Sequence, residues 1–223
     1  RALAETSRKG SILPELPPLL AILFAGGLAL LGALGHVVLD RQVVDVDLAA
    51  DAVLAGMVDH HVLDDLDVLL IDTGAGIGDH IQLFLNAADD VIVVTVPDPA
   101  AITDAYATIK VTSKIRSKIS LIFNQVRSEK EAQMLFEKIS KVARANIGAG
   151  LELELLGKVN ADEKVSRSIK QRKIFSQENP ISPTTRDLEK IVKKLSRNLE
   201  RNVLVSPEES GVQGLFKRLL THF

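Results

Sequence analysis

The residues best placed to do chemistry lie in the stretch DVLLIDTGAGIGDH, positions 67 to 80. Four apolar residues of strand length run into Asp72, and Thr73, Gly74 and Gly76 follow. Asp, Thr and Gly are common turn residues, so the stretch is consistent with a strand that simply stops at a turn. It is equally consistent with a Walker B strand, whose terminal aspartate holds hydrated Mg²⁺ beside a nucleotide phosphate. On this stretch alone both interpretations stay open.

The composition restricts the classes of protein to consider. A chain of 223 residues with 46% hydrophobic residues is long enough for one sizeable domain with its own core, or for one domain and a small appendage. The formal net charge is −2, so there is no global basic field and no direct nucleic-acid binding is expected. The chain contains no cysteine, which excludes disulfides, thiolate metal sites and a Cys nucleophile and fits a cytoplasmic protein.

Apolar runs of strand length recur along the middle of the chain. They are Val68–Ile71, Val91–Val96, Ile119–Phe123 and Leu153–Val159, and a segment long enough for a helix separates each from the next. This alternation indicates repeated βαβ units. The first two runs show little polar alternation, as expected for parallel strands covered on both faces. The predicted fold class is therefore α/β, with a doubly wound, mostly parallel sheet.

Two helices of this fold have clear signals. Ser128 and Glu131 form a capping box that opens the first helix. Its predicted buried face consists of Leu135, Phe136, Ile139, Val142 and Ala143. The second, nearer the end of the chain, has a predicted buried face of Leu188, Ile191, Val192, Leu195 and Leu199. Its charged residues, Asp187 among them, are predicted to face solvent.

Polar residues follow each predicted strand. The strands lead into Asp72-Thr73-Gly74, Pro97-Asp98-Pro99, Asn124-Gln125 and Asn160-Ala161-Asp162. In open α/β sheets ligands bind outside the carboxyl ends of the strands. Four polar strand ends in succession therefore favour a nucleotide-sized crevice along this edge over four unrelated turns.

A family resemblance now becomes specific. The run LLIDTGAGIGDHIQLFLNAADDVIVVTVPDPAAITDAYATIK, positions 69 to 110, resembles the MinD/ParA class of deviant-Walker P-loop ATPases. Within that class it is most similar to the flagellar-number regulators, FlhG or FleN, through IDTGAGI, ADDVIVVTVPDP and AITDAYATIK. The resemblance continues through LIFNQV and, more loosely, GKVNADEKVSRSIKQRKIF. It implies a P-loop NTPase fold of the SIMIBI type, ATP and Mg²⁺ as cofactors, and ATP hydrolysis as the activity.

The resemblance also implies roles for individual residues. Asp72 becomes the Walker B residue that holds Mg²⁺ through water, and the backbone at Gly74 and Gly76 becomes a switch that senses the γ-phosphate. Asn124 is expected to hydrogen-bond the adenine. Asp162 lies where the family contacts the base or ribose.

The chain departs from the family pattern at one position and matches it less clearly upstream. The family usually has a proline where this chain has Asn160. Upstream, LGALGHVVLD resembles the family's helix end and second strand, and VVDVDLAADAVLAG resembles its switch I segment. In this alignment Asp47 matches the catalytic aspartate that orients the attacking water, with Asp45 or Asp40 as alternatives.

The family's phosphate-binding loop, KGGVGKS or KGGVGKT, is missing. The nearest stretches are SRKGSILPELPP, which has one Lys-Gly pair followed by prolines, and FAGGLALLGALG, which has glycines and no lysine. The preferred explanation is that the first 65 residues as written are incomplete or misread. A second is a degenerate relative that acts as a binding module. A third takes residues 18 to 39, which carry no formal charge, as a membrane span or the core of a signal peptide.

The C-terminal end carries a second signal. Residues 1 to 200 are expected to form the nucleotide-binding domain, with residues 201 to 211 as a linker and residues 212 to 223 as an amphipathic helix. That helix would carry Val212, Leu215, Phe216, Leu219, Leu220 and Phe223 on one face and Lys217 and Arg218 on the other. Periodicity alone is consistent with a last helix docked on the domain. Because GLFKRLL is similar to the tail of MinD-type ATPases, the resemblance favours membrane targeting instead.

The resemblance therefore implies an ATPase whose ATP-dependent dimerisation and membrane binding regulate flagellar number or placement. Its expected location is the cytoplasm, at the inner face of the cell membrane. Its expected partners are a second copy of itself, an anionic membrane surface, an SRP-type flagellar GTPase (FlhF), and flagellar basal-body or transcriptional components. The alternatives are a non-catalytic adaptor on the same fold and an ATPase that places the cell-division site.

Overall fold

The structure is a computed structural model that describes residues 20–25, 43–47, 68–73 and 79–205. The strands are β1 (Leu20–Ala25), β2 (Val43–Asp47), β3 (Val68–Asp72), β4 (Asp90–Thr95), β5 (Lys118–Val126) and β6 (Glu152–Asn160). The helices are α1 (Asp79–Ala87), α2 (Pro99–Thr112), α3 (Glu129–Asn146), α4 (Glu163–Lys170), α5 (Phe175–Glu178) and α6 (Pro183–Val205). These strands form one parallel sheet in the order β2-β3-β1-β4-β5-β6, with helices packed against it. The predicted α/β class is confirmed.

Each of the four predicted strands is present, extended by one to three residues at one or both ends or, for β4, shifted by one position. The core lies around the middle of the sheet. Its largest fully buried side chains are Phe123, Leu85, Ile92, Ile109, Ile119 and Leu121. β4 is buried at every position after its first residue, whereas β6, at the edge of the sheet, is mostly half-buried. Apolar runs locate the inner strands well because both of their faces are covered.

β1 corrects one interpretation of the N-terminal segment. It pairs in parallel with β3 on one side and with β4 on the other, so residues 20 to 25 form a central strand and not part of a membrane helix. A central parallel strand and a membrane helix both appear in a sequence as uncharged apolar runs, which explains the ambiguity. Within the part of the chain that the structure describes, no helix is both long and apolar enough to cross a bilayer.

β2 corrects the upstream alignment. The strand occupies Val43–Asp47, within the segment that the resemblance assigned to switch I. Residues 31 to 40, expected to contain the second strand, lie outside the described residues. A short Val-rich run such as VVDVD is compatible with a strand or with the loop beside one, and its pairing with β3 makes it a strand.

The Ser128 cap at the start of α3 is confirmed, and Glu131 reaches back one residue beyond the N-cap, to Arg127. The Ser128 hydroxyl accepts a hydrogen bond from the Glu131 N–H at 3.2 Å, and the Glu131 carboxylate accepts one from the Arg127 N–H at 2.7 Å. The buried residues of the helix are Ala132, Ile139, Ser140 and Ala143. The prediction for Val142 was wrong, because this side chain is 45% exposed. It precedes Ala143 by one position, about 100° around the helix, which places it beside the buried face.

α6 packs along β6 through the apolar stripe that its sequence predicts. Leu188, Ile191, Val192 and Leu195 are all buried. The approach is close at Gly157 of β6, where a Cβ atom would overlap the Ile191 side chain. The helix continues to Val205, so residues 201 to 205 are helical and not part of the predicted linker. The rest of that linker and the predicted amphipathic helix lie outside the described residues.

Glu154 of β6 joins the sheet to α6. Its carboxylate lies 2.9 Å from Lys194 Nζ and 3.5 Å from Lys118 Nζ, and it accepts a hydrogen bond from Asn198 Nδ2 at 3.0 Å. Burial acts to raise the pKa of Glu154. The hydrogen bonds from Lys194 and Asn198 and the positive charges of Lys194 and Lys118 outweigh burial, so the pKa lies below its ordinary value of 4.5.

This lowered pKa predicts a pH-dependent contribution to stability. The depressed carboxyl stabilises the fold above about pH 4.5, where it is also ionised in the unfolded chain, and the contribution disappears as the pH falls through its folded pKa. We expect Glu154→Gln to lower the free energy of unfolding by about 1 kcal/mol or less at pH 7. The difference from the wild type should vanish in acid, as measured by urea denaturation at a series of pH values.

Glu152→Gln is the matched control, since Glu152 is exposed on the same strand and forms no ion pair with any described residue. A difference between Glu154→Gln and the wild type that stays constant from pH 7 down to pH 3 would contradict the prediction.

Candidate functional site

The two aspartates predicted to handle Mg²⁺ and the attacking water end neighbouring strands. In the β2–β3 register Asp47 lies opposite Asp72, and in the β1–β3 register Phe24 lies opposite Asp72. Paired residues of adjacent strands are about 4.8 Å apart across the sheet. Asp45, the alternative to Asp47, pairs with Leu70, two residues further from the edge. The fold thus places the backbones of Asp47 and Asp72 side by side, and aspartate is a residue type that suits the hard, hydrated Mg²⁺ ion.

Three other predicted positions cannot be placed in this way. Gly74, Gly76 and Asp40 lie outside the described residues. The roles assigned to them, and the chemical roles of Asp47 and Asp72, stay predictions.

The strand order places a crevice beside these aspartates. β1 lies between β3 and β4, so the chain crosses from one side of β1 to the other as it passes from β3 to β4. Such a reversal opens a binding crevice at the carboxyl end of the central strand. Gly26 and Gly27 follow β1 in the sequence, which contains no lysine between Lys9 and Lys110. The crevice therefore has candidate Mg²⁺ ligands, but the sequence after β1 does not supply the lysines that neutralise phosphates in a P-loop.

A pocket of about 250 Å³ lies further along the same edge, between the ends of β5 and β6 and the start of α4. Its polar lining is Asn124, Gln125, Asn160, Asp162, Glu163, Ser166 and Thr184. Its apolar lining includes Val159, Val165, Phe175 and Leu188. Mixed apolar walls with a few polar groups are typical of small-molecule sites. The two residues predicted to contact the base and ribose, Asn124 and Asp162, therefore line one pocket.

Asn124 is presented to this pocket by an irregularity at the end of β5. The β5–β6 register shifts between Phe123 and Val126, and Gln125 adopts a left-handed backbone with φ of +57°. The Asn124 side-chain oxygen accepts a hydrogen bond from the Gln125 N–H at 2.8 Å. Bulges beside binding sites commonly turn a side chain out of the ladder, and a left-handed non-glycine residue marks a backbone under local constraint.

Asp162 already has structural partners. It is the N-cap of α4, where its Oδ1 accepts from the Lys164 N–H at 2.9 Å, and its Oδ2 accepts from the Thr184 hydroxyl at 3.3 Å. The residue is half-buried and lines the pocket. The same carboxylate therefore caps α4 and borders the pocket. The cap fixes its position, and each oxygen keeps a second lone pair for a ligand.

A buried ion pair that the sequence patterns did not predict adjoins this pocket, and the prediction that Asp187 faces solvent was wrong. Lys158 Nζ lies 2.8 Å from Asp187 Oδ2, and their side chains are 10% and 6% exposed. The same ammonium donates to Asn160 Oδ1 at 2.8 Å, and the Asn160 N–H donates to Asp187 Oδ2 at 3.2 Å. The sequence feature that could have indicated this ion pair is a lysine inside the otherwise apolar end of β6, because a buried lysine needs an acidic partner.

A match to a family model identifies the family to which the chain belongs. The model described as "ParA: NUBPL iron-transfer P-loop NTPase" matches residues 34 to 196, which include β2, the β3 aspartate and the whole pocket. The chain belongs to the ParA family of P-loop NTPases. The resemblance to the MinD/ParA class is confirmed.

Two curated relatives refine this membership. The chain is 44% identical over 161 residues to the flagellum site-determining protein YlxH of Helicobacter pylori, covering 72% of this chain and 54% of that protein. It is 36% identical over 117 residues to the antiactivator FleN of Pseudomonas aeruginosa, covering 51% and 41% respectively. The chain thus spans about half the length of the curated relatives that it matches. The predicted similarity to flagellar regulators is confirmed.

Solved ParA-family structures share the fold. The cell division protein MinD of Aquifex aeolicus has a TM-score of 0.63 at 16% identity, over 80% of this chain and 97% of that one. MinD of Pyrococcus horikoshii, solved in complex with Mg-ADP, has a TM-score of 0.57 at 15% identity, over 82% and 98%. At these identities the likeness concerns the fold alone.

Proposed function

We propose that this chain is the nucleotide-binding domain of a MinD-like ATPase that regulates flagellar number or placement. The observation that carries the proposal is the 44% identity with a flagellum site-determining protein over most of this chain. The geometry supports it, because Asp47 and Asp72 end paired strands beside the crevice and a pocket of base-binding size lies on the same edge.

In this proposal ATP occupies the edge with its base in the pocket and its γ-phosphate near the aspartates. Asp72 holds the hydrated Mg²⁺, and Asp47 orients the water that attacks the γ-phosphate in line. When bound, Mg²⁺ neutralises charge on the β- and γ-phosphates. Asn124 and Asp162 contact the base and ribose.

A specific observation favours a second candidate, a non-catalytic adaptor on the same fold. The sequence has no lysine between Lys9 and Lys110, so the segment after β1 lacks the lysines that hold the triphosphate of a P-loop ATPase. Division-site placement, suggested by the MinD structures, has only fold likeness behind it. An iron-transfer role finds no thiolate ligands, since these 223 residues contain no cysteine.

Calorimetric titration of the purified chain with ATP and Mg²⁺ separates ATPase from adaptor. Micromolar binding, with ADP as a comparison, would support the ATPase and would mean that phosphate ligands exist in the protein that the first 65 residues as written do not show. No detectable binding by a sample that circular dichroism shows to be folded would favour the adaptor. Release of phosphate measured in parallel tests hydrolysis itself.

The proposal extends to regulation by dimerisation and membrane binding. ATP-bound dimers would carry two C-terminal helices, and doubling a weak anchor raises membrane residence by avidity. Such a protein would be cytoplasmic and peripherally bound to the inner face of the membrane. Its partners would be its own second copy, an SRP-type flagellar GTPase (FlhF), and flagellar basal-body or transcriptional components.

Deletion of residues 211 to 223 is expected to abolish pelleting of the ATP-bound chain with vesicles of anionic phosphatidylglycerol. Each basic residue near an anionic surface contributes about 1 kcal/mol. The variant Lys217→Glu/Arg218→Glu is therefore expected to weaken pelleting strongly while leaving the rest of the chain intact.

The matched control is Lys190→Glu/Lys193→Glu, which makes the same change in charge at exposed positions of α6. The tail hypothesis fails if the truncated chain pellets like the wild type, or if the α6 control loses as much binding as the tail variant.

A further inference from the structure

Asn160 makes hydrogen bonds that no predicted role explains. It is the last residue of β6 and lines the pocket. Its side chain accepts a hydrogen bond from Lys158 Nζ at 2.8 Å, and its backbone N–H donates to Asp187 Oδ2 at 3.2 Å. The residue is therefore held at both its main chain and its side chain by one buried ion pair.

The chemistry of lysine determines which way the Asn160 amide faces. An ammonium group only donates hydrogen bonds, so the Asn160 atom at 2.8 Å from it must be the carbonyl oxygen Oδ1. The amino group Nδ2 is then on the opposite side of the amide. It donates to no described residue, although the side chain is half-buried.

Asn124, near the end of the neighbouring strand β5, has the same polarity. Its contact with the Gln125 N–H, which also only donates, identifies the bonded atom as Oδ1. Its Nδ2 likewise makes no hydrogen bond to the residues that the structure describes. The pocket is thus lined by two asparagines whose oxygen atoms each accept one hydrogen bond and whose amino groups donate none to the described residues.

The orientation of Asn160 is fixed before any ligand binds. Flipping the amide would turn its NH₂ group toward the Lys158 ammonium and lose a charge-assisted hydrogen bond. The ammonium itself cannot move away easily, because it is 10% exposed and paired at 2.8 Å with Asp187, which is 6% exposed. A donor held in place in this way costs little ordering entropy when it meets a ligand.

We propose that Asn160 Nδ2 donates a hydrogen bond to a ring nitrogen of the purine base in this pocket, and that Lys158, anchored by Asp187, is the positioning residue that fixes it. The inference rests on the proposed nucleotide-binding function and adds a base contact to it. Purine ring nitrogens carry lone pairs in the plane of the base and accept from amide donors. The ligand class is therefore a purine nucleotide recognised through a ring acceptor.

The first test is Asn160→Asp, which keeps the shape of the side chain and still accepts from Lys158 but has no amino group. The full chain and this variant are titrated with ATP, 1-deaza-ATP, 3-deaza-ATP and 7-deaza-ATP, each of which removes one ring nitrogen. We expect the wild type to bind one analogue about tenfold more weakly than ATP. Asn160→Asp should lose this preference and bind ATP no more tightly than that analogue, because an acceptor-only carboxylate oxygen would face the ring nitrogen in place of the amino donor.

The second test separates positioning from general structure. The side-chain amide signal of Asn160, identified in ¹H–¹⁵N spectra by its absence from Asn160→Asp, should shift when ATP is added. In Lys158→Met we expect this shift and the discrimination against the analogue both to be lost. The control is Lys194→Met, which removes another lysine that joins α6 to β6, by its bond to the Leu155 carbonyl at 2.5 Å, without touching Asn160.

The outcomes distinguish this inference from the proposed function. If the wild type binds ATP and Asn160→Asp discriminates among the analogues as the wild type does, the base contact is overturned and the nucleotide-binding function stands. If Lys158→Met keeps the wild-type amide shift and discrimination, the positioning role is overturned. If the folded wild type binds no ATP, the inference and the function on which it rests both fail.

Discussion

Replacing Asp187 with alanine is expected to lower the free energy of unfolding by about 3 to 5 kcal/mol. The substitution leaves the Lys158 ammonium, 10% exposed, without its carboxylate partner. It also removes the acceptor of the Asn160 N–H. A buried charge that loses its partner pays its desolvation cost without compensation, and so the loss exceeds that of a surface pair.

Urea denaturation followed by circular dichroism at 222 nm measures this change, since the chain has no tryptophan for fluorescence. The matched control is Glu178→Ala, which breaks the Lys173–Glu178 pair at 2.6 Å, where the side chains are 55% and 35% exposed. We expect that loss to be about 1 kcal/mol or less. Equal losses in Asp187→Ala and Glu178→Ala would show that burial does not strengthen the inner pair.

A double variant tests the pairing of Lys158 with Asp187 even if a single variant fails to fold. Lys158→Met/Asp187→Leu replaces both charges by apolar groups, and such replacements of buried pairs are often neutral or stabilising. We therefore expect the double variant to unfold at a urea concentration close to that of the wild type, although each single variant unfolds earlier. An additive loss in the double variant would mean that the two residues do not act as a pair.

Replacing Asp72 with alanine is expected to reduce Mg²⁺-dependent ATP hydrolysis on the order of 100-fold or more, because metal stabilisation of phosphoryl transfer is worth several kcal/mol. Asp72 ends β3 opposite Asp47, at the carboxyl edge where the crevice opens. Steady-state phosphate release across a Mg²⁺ titration measures the effect. Asp104→Ala, which removes an exposed carboxylate of α2, is the control. Turnover retained by Asp72→Ala would refute its role.

The same assay distinguishes Asp47 from Asp45 as the residue that orients the attacking water. If Asp47 orients the attacking water, Asp47→Ala should lower kcat with little change in KM, since the interaction is made only in the transition state. Asp45→Ala should leave kcat near the wild-type value, because Asp45 lies two residues inside the end of β2. The reverse result would assign the water-orienting role to Asp45.

Structural features that depend only on residues close together in the sequence were predictable. The inner strands appear as mostly apolar runs because both of their faces are buried. The start of α3 is visible because Ser128 and Glu131 bond to backbone groups within four residues. Asp187 was misassigned because its partner, Lys158, is 29 positions earlier and on another element. Helical periodicity alone assigns a charged residue to solvent unless such a partner is known.

The sequence by itself determined the α/β class, the four apolar strands β3 to β6, the polar residues at their carboxyl ends and the family resemblance, since local spacing or short motifs specify each of these. Only the tertiary structure decided which polar residues meet. Strand order and register bring Asp47 opposite Asp72, and the packing of α6 on β6 places Asp187 against Lys158 and Asn160. Those contacts join residues distant along the chain, and their geometry depends on how whole strands and helices pack rather than on any local pattern.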